Sequence, residues 1–248
     1  MDYDKTLARV FPEVRAGGFA HVDQVWLFYL RVNALLTEDM TLLDFGAGRG
    51  RIYESSPGFA RSQRIFRGRC AEVIGADVDP VVFENPTLDR AVLIEDGRIP
   101  LADQSIDMIV SAATFEHLQD PAASAREMTR VLKPGGWICA WTPAAFGYVA
   151  LGARLVPQRL HASAVRRLAD QRDEKDVFPT VYRLNTRSAL KRHFPTDQFD
   201  HFSYYLEGSP SYHAGSPTLA RLLHAYNRIA PGPMKKNLHV FLQRRSVG

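Results

Sequence analysis

The chain has 248 residues, 46% hydrophobic and 23% charged, a composition that can bury a sizeable core and is not that of a low-complexity polypeptide. Its net charge of +4 is scattered, apart from short pairs such as Arg166-Arg167, Lys235-Lys236 and Arg244-Arg245, which argues against a dedicated nucleic-acid surface. Two cysteines, Cys70 and Cys139, form neither a disulfide framework nor a zinc spacing. With no leader and no apolar run of about 18 residues, the chain reads as cytoplasmic with no membrane span.

In chain order, residues 19–37 (FAHVDQVWLFYLRVNALLT) read as a helix apolar on more than one face. Residues 1–40 are therefore expected to form a helical cap that packs across a sheet or against a second copy in a homodimer, with a substrate gate as the third reading. Strands are predicted at 41–45, 73–77, 91–94, 107–112 and 136–142. The helix predicted at 121–132 starts on Pro121, suited to a first turn, and sets Ala125, Met128, Val131 and Leu132 on one face. The KPGG at 133–136 ends it and turns the chain into the next strand. Residues 144–182 carry no strand pattern and are too long for a plain loop, so they are predicted to be a helical insertion, a substrate lid within a single domain of 1–248. A helix at 187–194, capped by Asn185 or Thr186, is followed by strand-like 199–208, a helix at 218–229 and strand-like 237–245. Strands alternating with helices imply an α/β fold with a parallel sheet covered on both faces.

The stretch TLLDFGAGRG, residues 41–50, ends the first strand on Asp44 and three alternating glycines, Gly46, Gly48 and Gly50. Glycine costs folding entropy, so the pattern marks a backbone that bends sharply and stays bare for a ligand. In open parallel sheets, ligands bind outside the carboxyl ends of the strands. A dinucleotide fingerprint would need glycine at position 51, where Arg51 stands, and Asp44 would sit badly beside a pyrophosphate. A P-loop signature is absent. A ligand with a cationic amino-acid end suits the aspartate better.

The D-x-G-x-G-x-G pattern resembles motif I of the class I S-adenosylmethionine-dependent methyltransferases, of the methyltransferase type 11 kind. VIGADVDP (73–80) resembles that class's second-strand motif, in which the acid, here Asp77 with Val78 behind it, meets the ribose hydroxyls. EDGRIPLADQSIDMIVS (95–111) resembles the adenine station, with Asp96 and Gly97 at the base. SIDMIVSAATFEHLQDP and MTRVLKPGGWICAWTP resemble its fourth strand, helix and fifth strand. The resemblance implies a Rossmann-like doubly wound sheet of seven strands, mostly parallel with an antiparallel last strand. It implies S-adenosyl-L-methionine as cofactor, S-adenosyl-L-homocysteine as product, and Ala47, Ser111 and Ala112 beside the other cofactor residues. The segment 51–72 departs from the pattern, being longer and more basic than the single helix usually found there.

Methyl transfer is an in-line displacement that depends on orientation, with a base needed only where the acceptor must lose a proton. His117 is the candidate base, its ordinary pKa lying near neutrality. Alternatively, Glu116 and His117 cap the helix at Pro121 and frame the pocket. Glu116, Tyr182, Arg183 and Tyr204 are candidate substrate residues, with His161, Tyr205, Tyr212 and His213 as further polar or aromatic lining. Arg183 could equally make a structural ion pair. No metal-ligand cluster is expected. The expected acceptor is a small molecule or a sugar or glycan precursor, methylated on O or N. The segment DVFPTVYRLNT resembles methyltransferases associated with sugar or surface-polysaccharide pathways. The alternatives are RNA or protein methylation, a non-catalytic scaffold that keeps the cofactor fold, and a nicotinamide reductase. The NPPY-type motif of base amino-group methylation is missing after the fourth strand.

Overall fold

The computed structural model describes residues 4–55, 58–155 and 179–246. Five strands run parallel: β1 (Thr41–Phe45), β2 (Glu72–Asp77), β3 (Arg90–Leu93), β4 (Ile106–Ala112) and β5 (Leu132–Pro143). β8 (Asn237–Arg244) lies antiparallel to β5, and β6 (Phe199–His201) and β7 (Tyr204–Leu206) both pair with β8. The order β3-β2-β1-β4-β5-β8-β6 reverses between β1 and β4. That reversal is where a doubly wound sheet opens a crevice.

Alternation along each strand supplies two core layers. Leu43, Phe45, Ile74, Ile109 and Ile138 face one way, beneath Ala125, Met128 and Val131 of α4 (Pro121–Val131). Leu42, Val73, Met108, Val110 and Phe241 face the other, beneath Phe28, Tyr29 and Val32 of α1 (Gln24–Leu35). Burial on both faces is why these strands read as near-continuous apolar runs. α1 therefore packs on the sheet, the first of the three arrangements its sequence allowed, and its Asp23 cap accepts from the Val25 and Trp26 amides at 2.9 and 3.2 Å.

Four local differences from the sequence reading have physical causes. Leu132 leaves the helix face and opens β5 opposite Ile106. The segment after the glycine turn forms two short helices, α2 (Ile52–Ser55) and α3 (Gly58–Arg64). The predicted strand at 199–208 is broken: the Phe202 amide donates to the Phe241 carbonyl (2.9 Å), and the Ser203 hydroxyl replaces a ladder partner by accepting from the Phe241 amide (3.2 Å). That break gives eight strand segments where seven strands were expected. Thr186, not Asn185, caps α6 (Arg187–His193), accepting from the Ala189 amide at 3.0 Å.

Of the expected insertion, residues 144–155, with α5 (Tyr148–Leu155), and residues 179–182 are described, and 156–178, His161 included, lie outside the described residues. α7 (Pro217–Ile229), capped by Ser216, completes the C-terminal part. Among the described residues no helix is long and apolar enough to cross a membrane.

Candidate functional site

At the carboxyl end of β1 the chain turns through left-handed glycines. Gly46 has φ +78°, and a Cβ there would lie 2.3 Å from Thr114 Oγ1; at Gly50, φ +73°, it would lie 2.2 Å from Asn85 Oδ1. Only glycine fits either position. At Gly48 a Cβ would meet nothing within 4 Å, so this backbone borders open space. Asp77, at the tip of β2, fixes the turn: its Oδ2 accepts from the Gly48 amide at 2.8 Å and its Oδ1 from the Asp79 amide at 3.0 Å. Asn85 holds the other side, its Nδ2 donating to the Ala47 and Gly48 carbonyls at 3.1 Å each. Val78, beyond Asp77, is 64% exposed.

Asp44 stands half-buried below this turn, and its carboxylate makes no hydrogen bond or ion pair among the described residues. Burial, with the Asp77 charge second, pushes its carboxyl up to about 7. An ionisable group held partnerless near neutrality is the signature of a site that expects a counter-charge. Its neighbour is Tyr29 of α1, whose phenol is raised by burial and by the Asp44 charge. Tyr29 in turn lines a cavity of about 180 Å³ between α1 and α3, together with Asp23, Val25, Trp26, Ala60 and Arg64. The Arg64 guanidinium lies 5.3 Å over the Tyr29 ring.

The turn expected to meet the adenine is exposed. Asp96 and Gly97 both have positive φ (+50° and +73°), and the Arg98 amide closes on the Glu95 carbonyl at 2.8 Å. These two residues therefore also serve an ordinary turn of the I′ kind. At the end of β4, Ser111 is fully buried and donates to the Phe45 carbonyl at 2.9 Å, tying β4 to β1, while Ala112 is half-buried at the crevice.

Glu116 and His117 follow in a 3-10 turn (Phe115–His117). They do not cap α4: Asp120 does, accepting from the Ala122 and Ala123 amides. The Glu116 carbonyl accepts from the Val181 and Tyr182 amides at 2.7 and 3.1 Å. His117 Nδ1 lies 3.0 Å from the Pro179 carbonyl. A carbonyl only accepts, so Nδ1 carries the proton and Nε2 is the basic atom. The chain returning from the insertion is thus docked on the turn that carries Glu116 and His117.

The remaining substrate candidates divide. Tyr182, at φ +52° and buried, lies beside Glu116 with Arg154 of α5 5.3 Å over its ring. Arg183 turns aside to donate to the Gln119 carbonyl and makes no ion pair among the described residues. The Tyr204 hydroxyl is engaged by Arg31 Nε (2.9 Å) and His239 Nδ1 (3.1 Å) on the α1 face, away from Glu116. The Tyr205 hydroxyl accepts from the Arg187 amide, and His213 pairs with Asp4 at 3.4 Å. Tyr212 occupies the loop after Gly208 at φ +63°.

Sequence reasoning missed Arg64 and Trp26 of the cavity, and it missed Lys236. The Lys236 ammonium is 5% exposed and donates to the Ser209 carbonyl and to Ser211 Oγ (2.7 Å). Burial pulls it down to about 8. Lys235-Lys236 gave no sequence signal beyond a basic pair. Among the described residues no three His, Cys, Asp or Glu side chains gather as a metal site.

The site fits the cofactor that the resemblance implies. The bare Gly48 edge admits an approaching ligand, Asp44 offers a partnerless carboxylate to a cation, and Asp77 ends at the same edge.

Comparison with known proteins bears on the same elements. Residues 43–140 match the family described as a methyltransferase domain. An uncharacterised methyltransferase of Mycobacterium sp. (strain JLS) is 34% identical over 100 residues, covering 39% of this chain and 36% of that protein. Malonyl-[acyl-carrier protein] O-methyltransferase 1 of Coxiella burnetii is 34% identical over 110 residues, covering 44% of this chain and 34% of that protein. The chain thus spans little more than a third of the length of these curated relatives. A crystal structure of a SAM-dependent methyltransferase from Methanosarcina mazei shares the fold, with a TM-score of 0.52 at 17% identity over 88% of this chain and 98% of the other. Residues 43–140, from the β1 glycine turn to β5, are thus similar to a methyltransferase domain, on a fold shared with S-adenosylmethionine-dependent methyltransferases.

Proposed function

We propose that the protein transfers the methyl group of S-adenosylmethionine to an oxygen or nitrogen of a small molecule or of a sugar or glycan precursor. The observation that carries this reading is the partnerless Asp44 carboxylate beside a glycine backbone with open space at its edge. The cofactor supplies a sulfonium-bound methyl as the electrophile. Asp44 would take the cofactor's ammonium and Asp77 its ribose hydroxyls, while Arg64 in the α1–α3 cavity is the cation available to its carboxylate. Asp96 and Gly97, with Val78, would border the base.

On the acceptor side, His117 Nε2 is the ring atom to receive a hydroxyl proton, since Nδ1 is committed to Pro179. Glu116 and Tyr182 stand beside it and would frame the acceptor. The return of the chain onto this turn favours an enclosed acceptor over a polymer laid in an open groove. An O-methyltransferase among the relatives is consistent with an oxygen nucleophile. Methylation of RNA is the second reading, suggested by the basic segment after the glycine turn. In that segment, however, Arg67 is paired with Asp89 at 3.0 Å and Arg69 donates to the Ser62 carbonyl, which leaves no open stripe from those two.

Incubation with methyl-tritiated S-adenosylmethionine and separated cell fractions distinguishes the readings. Label is expected in the low-molecular-weight fraction. Label confined to RNA or protein would overturn the acceptor class.

A further inference from the structure

Behind the Glu116 turn runs a chain of buried polar side chains. Asn185 and Thr142 are fully buried and Glu116 is 5% exposed. Asn185 Nδ2 donates to Thr142 Oγ1 at 2.6 Å and to the Pro143 carbonyl at 2.9 Å. Thr142 Oγ1 lies 2.7 Å from Glu116 Oε2. Every proton in this chain has one permitted direction. Both Asn185 amide protons are spent, so Thr142 receives one of them and must give its own single proton to Glu116. Glu116 Oε2 is thereby held as an acceptor, which favours the ionised carboxylate. The other carboxylate oxygen, Oε1, stands 4.0 Å from His117 Nε2, the basic nitrogen of that ring.

We propose that Thr142 and Asn185 are positioning residues that hold the Glu116 carboxylate against His117, making the two an acid–base pair. The inference rests on the methyl-transfer reading for its purpose, though not for its geometry. As the acceptor oxygen bonds the methyl carbon and the sulfur–methyl bond breaks, the acceptor's O–H proton passes to His117 Nε2. The resulting imidazolium is stabilised by the Glu116 charge, and the sulfur departs as a neutral thioether. An acceptor hydroxyl that met both Oε1 and Nε2 would bridge their 4.0 Å separation within hydrogen-bond reach of each. Among the described residues, Tyr182 of the returning chain is a titratable group that also faces this pair, with Arg154 of α5 over its ring. The same network also ties the base of the insertion together, since the Ala145 amide donates to the Asn185 carbonyl at 3.0 Å. A purely structural role is therefore the competing explanation.

The two are separated by nitrogen NMR of the full chain labelled with 15N-histidine, with the His117 signal assigned by its loss in His117→Asn. Neutral His117 is expected as the Nδ1–H tautomer. Glu116→Gln and Thr142→Val are each expected to lower the His117 titration midpoint by about half a unit or more, and Thr142→Ser to restore it. Should Thr142→Val fail to fold, Asn185→Ala, which leaves the Thr142 hydroxyl free to rotate, is expected to shift the midpoint the same way by a smaller step. A variant that melts earlier yet leaves the His117 midpoint and tautomer unchanged would overturn the proposal and leave a structural anchor. The readout needs no cofactor. Absent cofactor binding would thus sink the function and spare this inference, while an unmoved His117 in a protein that binds cofactor would sink this inference alone.

Discussion

At the scale of single residues, Asp44 joins electrostatics to ligand choice. An unfolded aspartate ionises near 3.8 and the folded Asp44 near 7. Across that window the folded state keeps a proton that the unfolded state has lost. Asp44 therefore makes stability fall as pH rises from about 4 to 7 and adds no further slope above that. A bound cation reverses the preference and expels the proton. Calorimetry at pH 6 in buffers of differing ionisation enthalpy is expected to show release of up to about one proton on binding S-adenosylmethionine, lost in Asp44→Asn. Buffer-independent heats would refute the assignment of Asp44 to the cation. Gly46 is set by sterics: Gly46→Ala forces a Cβ against Thr114 at a positive φ, for an expected cost of about 1–3 kcal/mol in denaturant unfolding. Asp44, Asp77 and the glycines were legible in the sequence because their chemistry is local. Lys236 and Arg64 were not, because a basic side chain reads as surface until the fold shows what buries it.

At the scale of elements, legibility follows the same division between local and distant causes. α4 was readable almost to the residue, since Pro121 and the spacing of Ala125, Met128 and Val131 are intrinsic to it. β1 and β4 were readable because strands buried on both faces are apolar throughout. The break between β6 and β7 was not, as it depends on the Ser203 hydroxyl finding the Phe241 amide across the sheet. Nor could the sequence choose between Asn185 and Thr186 as the α6 cap. Asn185 is diverted to Thr142 and Pro143, partners more than forty residues away. Thr186→Ala is accordingly expected to cost about 1 kcal/mol of stability with cofactor affinity unchanged. An equal loss from Asn185→Ala with no change in His117 would make both residues mere anchors of the same helix.

At the scale of the molecule, the switch in strand order between β1 and β4 gathers what the chain separates: the glycine turn, the tip of β2 and the Glu116 turn. The order of these stations along the sequence was enough to indicate the class, because each sits at the carboxyl end of a successive strand. The α1–α3 cavity was invisible there, since it exists only where an N-terminal helix meets the irregular segment after the glycine turn. The central claim, that this edge holds a cationic nucleoside, is tested most directly by isothermal titration of S-adenosylmethionine into the wild type and Asp77→Ala. The account predicts saturable one-to-one binding, weakened by roughly 1–3 kcal/mol in the variant, which loses the hydroxyl contacts together with the hold on the Gly48 amide. No binding by the wild type, or equal affinity in both proteins, would contradict it.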